Sequence, residues 1–239
     1  MVLFCNISEE KILKVKVSDD YPPEKGCYLR GNDYSPVAVV VILNTRREET
    51  PKELEELVRV AVESGAALAG TLQTENIGIE KIICNVTANP NIRYILLCGP
   101  ESPGHLTGEA FIALINNGVD EKKKIIGTES LTPYLFNIPL EYIERFRKQI
   151  SLINCLNDGT PELVREVVYC CYQEKPTTFR DYALYDIGAY PEPALSGKIT
   201  WRVTKPSSEP KTEEERKQKK KLQKLIADIK RKIEKKKDR

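Results

Sequence analysis

Residues 36–43 read PVAVVVIL, a continuous run of apolar and largely β-branched side chains. A strand with one face in water would alternate apolar and polar residues, so this run predicts a strand buried on both faces. Residues 50–65 predict a helix, because apolar side chains recur every three or four positions. Thr50 can cap this helix, Pro51 suits its first position and Gly65 can end it. A buried strand followed by such a helix is typical of a parallel α/β sheet.

The alternation of strands and helices continues to residue 173. The predicted strands are residues 36–43, 66–72, 92–99, 124–130 and 151–156, and the predicted helices are residues 50–65, 74–90, 106–118, 139–150 and 160–173. Thr160 is the predicted cap of the last helix, with Pro161 at its first position. Residues 12–17 alternate and predict a further strand. We therefore predict the α/β class, a Rossmann-like or flavodoxin-like open parallel sheet with helices on both faces.

The composition changes after Lys175. Residues 177–203 are rich in aromatics, Pro and Gly, which predicts strands and turns with Trp201 as a packing anchor. Residues 204–210 predict a linker and residues 211–238 a charged terminal helix. The resulting division is an N-terminal extension (1–35), an α/β domain (36–175), a β-rich extension (176–206) and a basic linker with the terminal helix (207–239).

Charge is unevenly distributed along the chain. The net charge is +2, but residues 211–239 carry a balance of +8 and the rest a balance of −6. Three interpretations of this basic tail stay open: a solvated helix face, a helix on an anionic membrane surface, and a helix that pairs with a partner protein. Its apolar stripe consists of residues 222, 225, 226, 229 and 233. Nucleic acid binding is disfavoured because aromatics do not interleave with the lysines.

Cysteine usage and hydropathy indicate the compartment. The seven cysteines are odd in number and form no C-x-x-C motif, which favours neither a disulfide framework nor a zinc site. No apolar run reaches the roughly 18 residues that a transmembrane helix needs. The N-terminus also lacks the pattern of a secretory signal. We therefore predict a reduced, cytoplasmic protein without a transmembrane segment.

Three polar loops follow predicted strands, at the edge where open parallel sheets bind ligands. They read GTLQTEN (70–76), GPESPGH (99–105) and GTES (127–130). Their glycines let the backbone approach a bulky ligand, and amides at the helix starts can donate hydrogen bonds to phosphate or amide groups. The loops thus predict a rim for a large cofactor with polar edges. No dinucleotide or P-loop glycine motif occurs, so these binding modes are disfavoured.

His105 is the only histidine in the chain. Taken alone it could be a loop residue, a pH-sensitive group or an axial ligand. A triad of Ser102, His105 and Glu101 is disfavoured because one short loop would hold all three. One imidazole excludes a metal site that needs several, but it suffices for a cofactor that fills most of its metal's coordination sphere. Haem and corrinoids meet this condition, and the α/β sheet favours the corrinoid because haem sites are usually built between helices.

An ordered series of motifs points to a known family. These are TENIGIEK (74–81), NPNIR (89–93), CG (98–99) and GHLTG (104–108). They resemble the corrinoid-binding subunit of tetrahydromethanopterin S-methyltransferase from methanogenic archaea, over roughly residues 20–173. The resemblance implies a cobalamin-type cofactor and a role as methyl carrier. In that family, a methyl group passes from tetrahydromethanopterin to coenzyme M with coupled sodium transport, which also implies methyltransferase partner proteins.

The resemblance implies His105 as the axial ligand of cobalt. Other corrinoid proteins use D-x-H-x-x-G, but Pro103 stands at the aspartate position, so Glu101 or Glu109 is our hypothesis for the carboxylate partner. The loops and the resemblance together predict the following cofactor-binding residues: Gln73, Thr74, Asn76, Gly99, Glu101, Ser102, Gly104, His105, Leu106, Thr107, Gly108, Gly127 and Thr128.

The C-terminus distinguishes this chain from the family pattern. The family's corrinoid-binding protein ends in a membrane helix, whereas this chain ends in the basic helix 211–238. The resemblance therefore predicts a homologue without the membrane anchor, with peripheral membrane contact through the tail as one interpretation. The alternative function is a flavodoxin-like binding module without corrinoid that holds another phosphate-bearing ligand or partner proteins.

Overall fold

The computed structural model describes residues 13–46 and 49–196, together with individual helical positions between 213 and 231. In this part of the chain, a five-stranded sheet has the order β1-β3-β2-β4-β5. Its strands are β1 (Tyr28–Arg30), β2 (Val37–Ile42), β3 (Leu68–Leu72), β4 (Tyr94–Gly99) and β5 (Ser151–Leu156). The helices are α1 (Lys52–Glu63), α2 (Ile77–Thr87), α3 (Thr107–Asn117), α4 (Leu140–Gln149) and α5 (Pro161–Tyr172). The strands β2, β3, β4 and β5 are parallel, and β1 is antiparallel to β3.

The α/β class and the open, mainly parallel sheet are confirmed. All six residues of β2 are buried, as the uninterrupted apolar run predicts. Val37, Val39 and Val41 pack with α1 and α5, whereas the alternate residues of β2 pack with α2, α3 and α4. The sheet is therefore covered by helices on both faces, and each face has its own apolar core.

The predicted strand at residues 124–130 is wrong. Only isolated bridges form there, between Ile125 and Val119 and between Lys124 and Tyr134. The Ile125 amide donates to the carbonyl of Pro133, and β5 already occupies the side of β4 where a further strand would pair. The buried apolar side chain of Ile125 thus belongs to an irregular connection between α3 and α4.

The N-terminal part differs from the prediction as well. Residues 13–17 form no strand, because the side-chain amide of Asn91 supplies the bonding partners: its Oδ1 accepts from the Val15 amide and its Nδ2 donates to the Val15 carbonyl. Residues 1–12 lie outside the described range. The strand β1 was not predicted, since its three half-buried or exposed residues show no apolar pattern.

One predicted helix cap is confirmed and the other is wrong. The Thr160 side chain accepts a hydrogen bond from the Leu163 amide, and Pro161 opens α5. At α1, Pro51 is the capping position and makes no side-chain bond, so Thr50 is not the cap. Pro51 is extended, and its carbonyl accepts the first helical amide bonds instead.

The C-terminal extension contains the hairpin β6 (Thr177–Phe179) and β7 (Tyr182–Leu184), which confirms the predicted β-rich segment. Trp201, most of the linker and the apolar stripe of the tail lie outside the described residues, and the described tail positions are helical. Within the part of the chain that is described, no helix is long and apolar enough to cross a membrane. The described cysteines are all free thiols.

The strand order determines where a ligand site can lie. The chain crosses from β2 to β3 on one side and then from β3 past β2 to β4, so the direction of winding changes between β2 and β4. Open α/β sheets bind ligands beside the carboxyl ends of the strands at such a point. The loops after β3 and β4 meet at this edge of the sheet.

Candidate functional site

His105 lies in the loop between β4 and α3, at the carboxyl edge of the sheet. Its side chain is 57% exposed, and its Nδ1 lies 3.2 Å from Oε2 of Glu75 in the loop between β3 and α2. The Glu75 side chain is only 1% exposed. A buried carboxylate therefore holds one edge of an imidazole that otherwise faces solvent.

The Glu75 carboxylate is fixed by more than the histidine. Its Oε1 accepts hydrogen bonds from the Thr132 hydroxyl at 2.7 Å and from the Thr132 amide at 3.1 Å. Burial alone would raise the pKa of Glu75, but these bonds and the neighbouring His105 outweigh burial and hold the pKa below its usual value. Glu75 is therefore ionised at neutral pH.

The ionised carboxylate determines the tautomer of His105. A carboxylate can only accept hydrogen bonds, so a neutral imidazole beside it must carry its proton on Nδ1. The lone pair of Nε2 is then available on the other side of the ring, which is the arrangement found in metal-binding histidines. The geometry thus prepares Nε2 of His105 as a ligand.

The hypothesis that Glu101 or Glu109 is the carboxylate partner of His105 is wrong. Glu101 turns back onto α3, where its carboxylate accepts from the amides of Ser102, Gly108 and Glu109 at 2.7, 2.9 and 2.8 Å. It thereby satisfies amides of the first turn, which have no partner within the helix. Glu109 accepts a hydrogen bond from the Thr128 hydroxyl. Both carboxylates are occupied in building the loop.

The backbone of His105 is held from two sides. The Ser102 carbonyl accepts from the amides of His105 and Leu106 at 3.2 and 2.8 Å, and the Ser130 hydroxyl donates to the His105 carbonyl at 2.6 Å. Leu106 has a φ of 50°, the left-handed conformation that side chains rarely adopt. Gly104 has a φ of 83° and open space where a Cβ would lie. The loop therefore fixes the histidine and keeps its approach clear.

The loop after β3 fixes Glu75 in a similar way. Thr74 accepts from the Gly78 amide at 3.0 Å, and Asn76 caps α2 by accepting from the Ile77 amide at 2.6 Å. The Asn76 amide also donates to the Thr132 hydroxyl at 3.1 Å. Both neighbours of Glu75 are thus tied to the start of α2, which limits movement of the carboxylate.

The predicted site residues are brought together unevenly. Thr107 donates to the Gln73 carbonyl at 3.3 Å, which joins the loops after β3 and β4, and Gln73 donates to the Thr45 carbonyl at 2.8 Å. Thr128 reaches the start of α3 through Glu109. Gly127 is exposed in the same segment, while Gly99, Ser102, Thr107 and Gly108 are buried. Cofactor contact by each of these residues stays a prediction.

Sequence reasoning missed Glu75, Ser130 and Thr132. Glu75 lies inside the TENIGIEK motif, so treating every polar residue of that motif as a candidate would have included it. For Ser130 and Thr132 the sequence offers no signal, because they reach the site through an irregular connection. Their hydrogen bonds to His105 and Glu75 depend on how that connection folds.

Comparison with known proteins gives a consistent result. The family model of MtrA, a component of tetrahydromethanopterin S-methyltransferase, matches residues 14–186. The MtrA-type component of that enzyme from Methanosphaera stadtmanae is 39% identical over 172 residues, which is 72% of this chain and 65%, less than two thirds, of the relative. A second form of this component from Methanothermobacter marburgensis is 43% identical over 68% of this chain and 83% of the relative. The second form from Methanothermobacter thermautotrophicus is 39% identical over 78% and 90%.

Proposed function

Because the chain belongs to the MtrA family of tetrahydromethanopterin S-methyltransferase components, we propose that it binds a corrinoid and carries a methyl group for a partner methyltransferase. The observation that carries this proposal is the contact between the buried Glu75 carboxylate and the half-exposed His105. Tetrahydromethanopterin is the proposed donor, and a thiol such as coenzyme M is the proposed acceptor.

The donor set at this edge fits a corrinoid. A corrinoid already supplies the equatorial nitrogens of its cobalt, so a single axial imidazole is enough. A carboxylate behind the ligating histidine is the usual outer partner of such a ligand, because it fixes the ring and increases its basicity. Glu75 meets this requirement from a loop 30 residues earlier in the chain.

The residues around His105 have distinct proposed roles. Nε2 of His105 would ligate the cobalt, and Gly104 leaves room beside it. Gln73, exposed, and Thr74 and Thr128, half-buried, would line the rim of the cofactor. When bound, the corrinoid supplies a cobalt centre that accepts a methyl group from one substrate and releases it to another.

The pair of Glu75 and His105 also provides a place for a proton. While Nε2 is a metal ligand, the imidazole is neutral and Nδ1 donates to Glu75. Once Nε2 is released, it can take up a proton, and the adjacent carboxylate stabilises the resulting imidazolium. Ser130 and Thr132 hold His105 and Glu75 in place during this change. The chain can therefore couple ligation to protonation at one atom.

Cobalamin retention tests this proposal. Purified protein is mixed with hydroxocobalamin and passed over a gel-filtration column, and the absorption spectrum of the protein fraction is recorded. We expect stoichiometric retention with a spectrum that changes in His105→Ala, whereas the control Tyr169→Ala, at an exposed position of α5, leaves it unchanged. Absence of retention by the unaltered chain contradicts corrinoid binding. An unchanged spectrum in His105→Ala contradicts axial ligation.

The basic tail is a separate proposal. We propose that residues 211–239 contact anionic membrane surfaces, because their charge balance is +8 and each basic residue near such a surface contributes about 1 kcal/mol. Liposomes that contain anionic lipid should pellet the full chain but not a chain that ends at residue 210. Equal pelleting of both chains, or of neither, contradicts the proposal.

A further inference from the structure

A second cavity lies beside the site, between β3 and α2. Its volume is about 560 Å³, within the range of small-molecule pockets. The inner part is apolar and is lined by Ala38, Val40, Leu68, Ile82 and Val86. The sheet and the helix form its two walls, so the cavity is a slot that suits a flat apolar group.

One end of the cavity is polar. Thr71, Gln73 and Thr74 line it where β3 ends and α2 begins. Lys25 and Lys81 lie at the mouth, and Lys81 Nζ donates to the Lys25 carbonyl at 2.8 Å, which holds that ammonium in place. Hydroxyl groups and ammonium groups together are suited to bind a phosphate.

The loop of residues 73–76 separates the cavity from His105. Gln73 and Thr74 face the cavity, whereas Glu75, the next residue, contacts the histidine. At the helix start, Gly78 lacks a side chain, and a Cβ there would lie 2.8 Å from Cδ1 of Leu72. The polar end of the cavity and the ligating histidine thus lie on opposite sides of a single short loop.

We propose that this cavity binds a heteroaromatic base linked to a phosphate, with the base between β3 and α2 and the phosphate at Lys81. The apolar slot accounts for the base, and the lysines and threonines at the mouth account for the phosphate. This chemistry has two sources, a free mononucleotide and the nucleotide arm of a bound corrinoid. The second source rests on the proposed function.

The experiment has one arm for each source. In the first arm, binding of adenosine 5′-monophosphate is measured by calorimetry for the full chain. In the second, the Kd of cobalamin is compared with that of cobinamide, a corrinoid that lacks the nucleotide. Both arms use Lys81→Gln, which removes the charge at the mouth, and Ile82→Phe, which fills the slot. Lys122→Gln, at an exposed lysine outside the cavity, is the control.

We expect a nucleotide preference that depends on the cavity. Either adenosine 5′-monophosphate binds, or cobalamin binds more tightly than cobinamide, and Lys81→Gln weakens that binding about tenfold. Lys122→Gln should have no effect. Because Lys81 is on the surface, its variant tests the cavity even if Ile82→Phe fails to fold.

Two results overturn the proposal: no mononucleotide binding together with equal affinity for the two corrinoids, or binding that neither cavity variant changes. If neither corrinoid is retained, the proposed function fails, and the mononucleotide arm alone decides whether the cavity binds this class of ligand.

Discussion

Replacing Glu75 by Gln should reverse the tautomer of His105 while leaving the fold intact. The glutamine oxygen can still accept the two hydrogen bonds from Thr132, but an amide NH₂ replaces Oε2 and faces Nδ1 at the 3.2 Å contact. Two donors cannot bond to each other, so Nδ1 must become an acceptor. The ring proton then moves to Nε2 and blocks the atom that would bind a metal.

The size of this effect follows from the hydrogen bond that is exchanged. A hydrogen bond to a charged group contributes about 2 kcal/mol, which corresponds to a change of about thirtyfold in the ratio of the two tautomers. Loss of an outer-shell partner typically weakens metal binding by about 10- to 100-fold. We therefore expect Glu75→Gln to lower the affinity for hydroxocobalamin by about that factor.

The single histidine makes the tautomer directly measurable. A long-range ¹H–¹⁵N NMR spectrum shows one pair of ring nitrogens, and the experiment needs no cofactor. At about pH 8.5, where an imidazole is neutral, the unaltered chain should carry its proton on Nδ1 and the variant on Nε2. Glu109→Gln is the matched control, because that carboxylate bonds to Thr128 and not to His105. The same tautomer in the unaltered chain and in Glu75→Gln would refute the reasoning.

Three further substitutions test how the fold supports the site. Glu101→Ala removes the acceptor of three amides at the start of α3 and should cost about 1–2 kcal/mol in denaturant unfolding; an unchanged midpoint argues against this cap. Thr160→Ala should cost about 1 kcal/mol at the start of α5, and Thr160→Ser should restore most of it. Burial raises the pKa of Glu80 despite its bonds from Asn137, so its favourable contribution below the unfolded pKa is lost as pH rises. Glu80→Gln should therefore gain stability relative to the unaltered chain between about pH 4 and pH 8, and a constant difference contradicts this assignment.

The parallel core was readable from the sequence because its signals are local. The apolar run at residues 36–43 predicts a doubly buried strand, and β2 (Val37–Ile42) is buried at every position. Likewise, Thr160 and Pro161 mark the start of α5 through chemistry within one helical turn. The edge strand β1 carries no such signal, since its pairing with β3 is decided by tertiary contact.

The partners inside the site were not readable, because they join distant segments. Glu75 and His105 are 30 residues apart, and Thr132 lies 57 residues from Glu75. The carboxylates close to His105 in sequence, Glu101 and Glu109, were the natural candidates, but the start of α3 uses both of them. The position of the histidine could be predicted from its loop, whereas the group that controls its tautomer required the folded chain.

Axial ligation by His105 is tested most directly by electron paramagnetic resonance of the cobalamin-loaded protein reduced to cobalt(II). The protein is prepared once with ordinary histidine and once with histidine labelled with ¹⁵N in the ring. Since His105 is the only histidine, the label reaches no other imidazole. The account predicts that the nitrogen splitting of the cobalt signal changes from triplets to doublets on labelling. A splitting that is the same in both samples would contradict it.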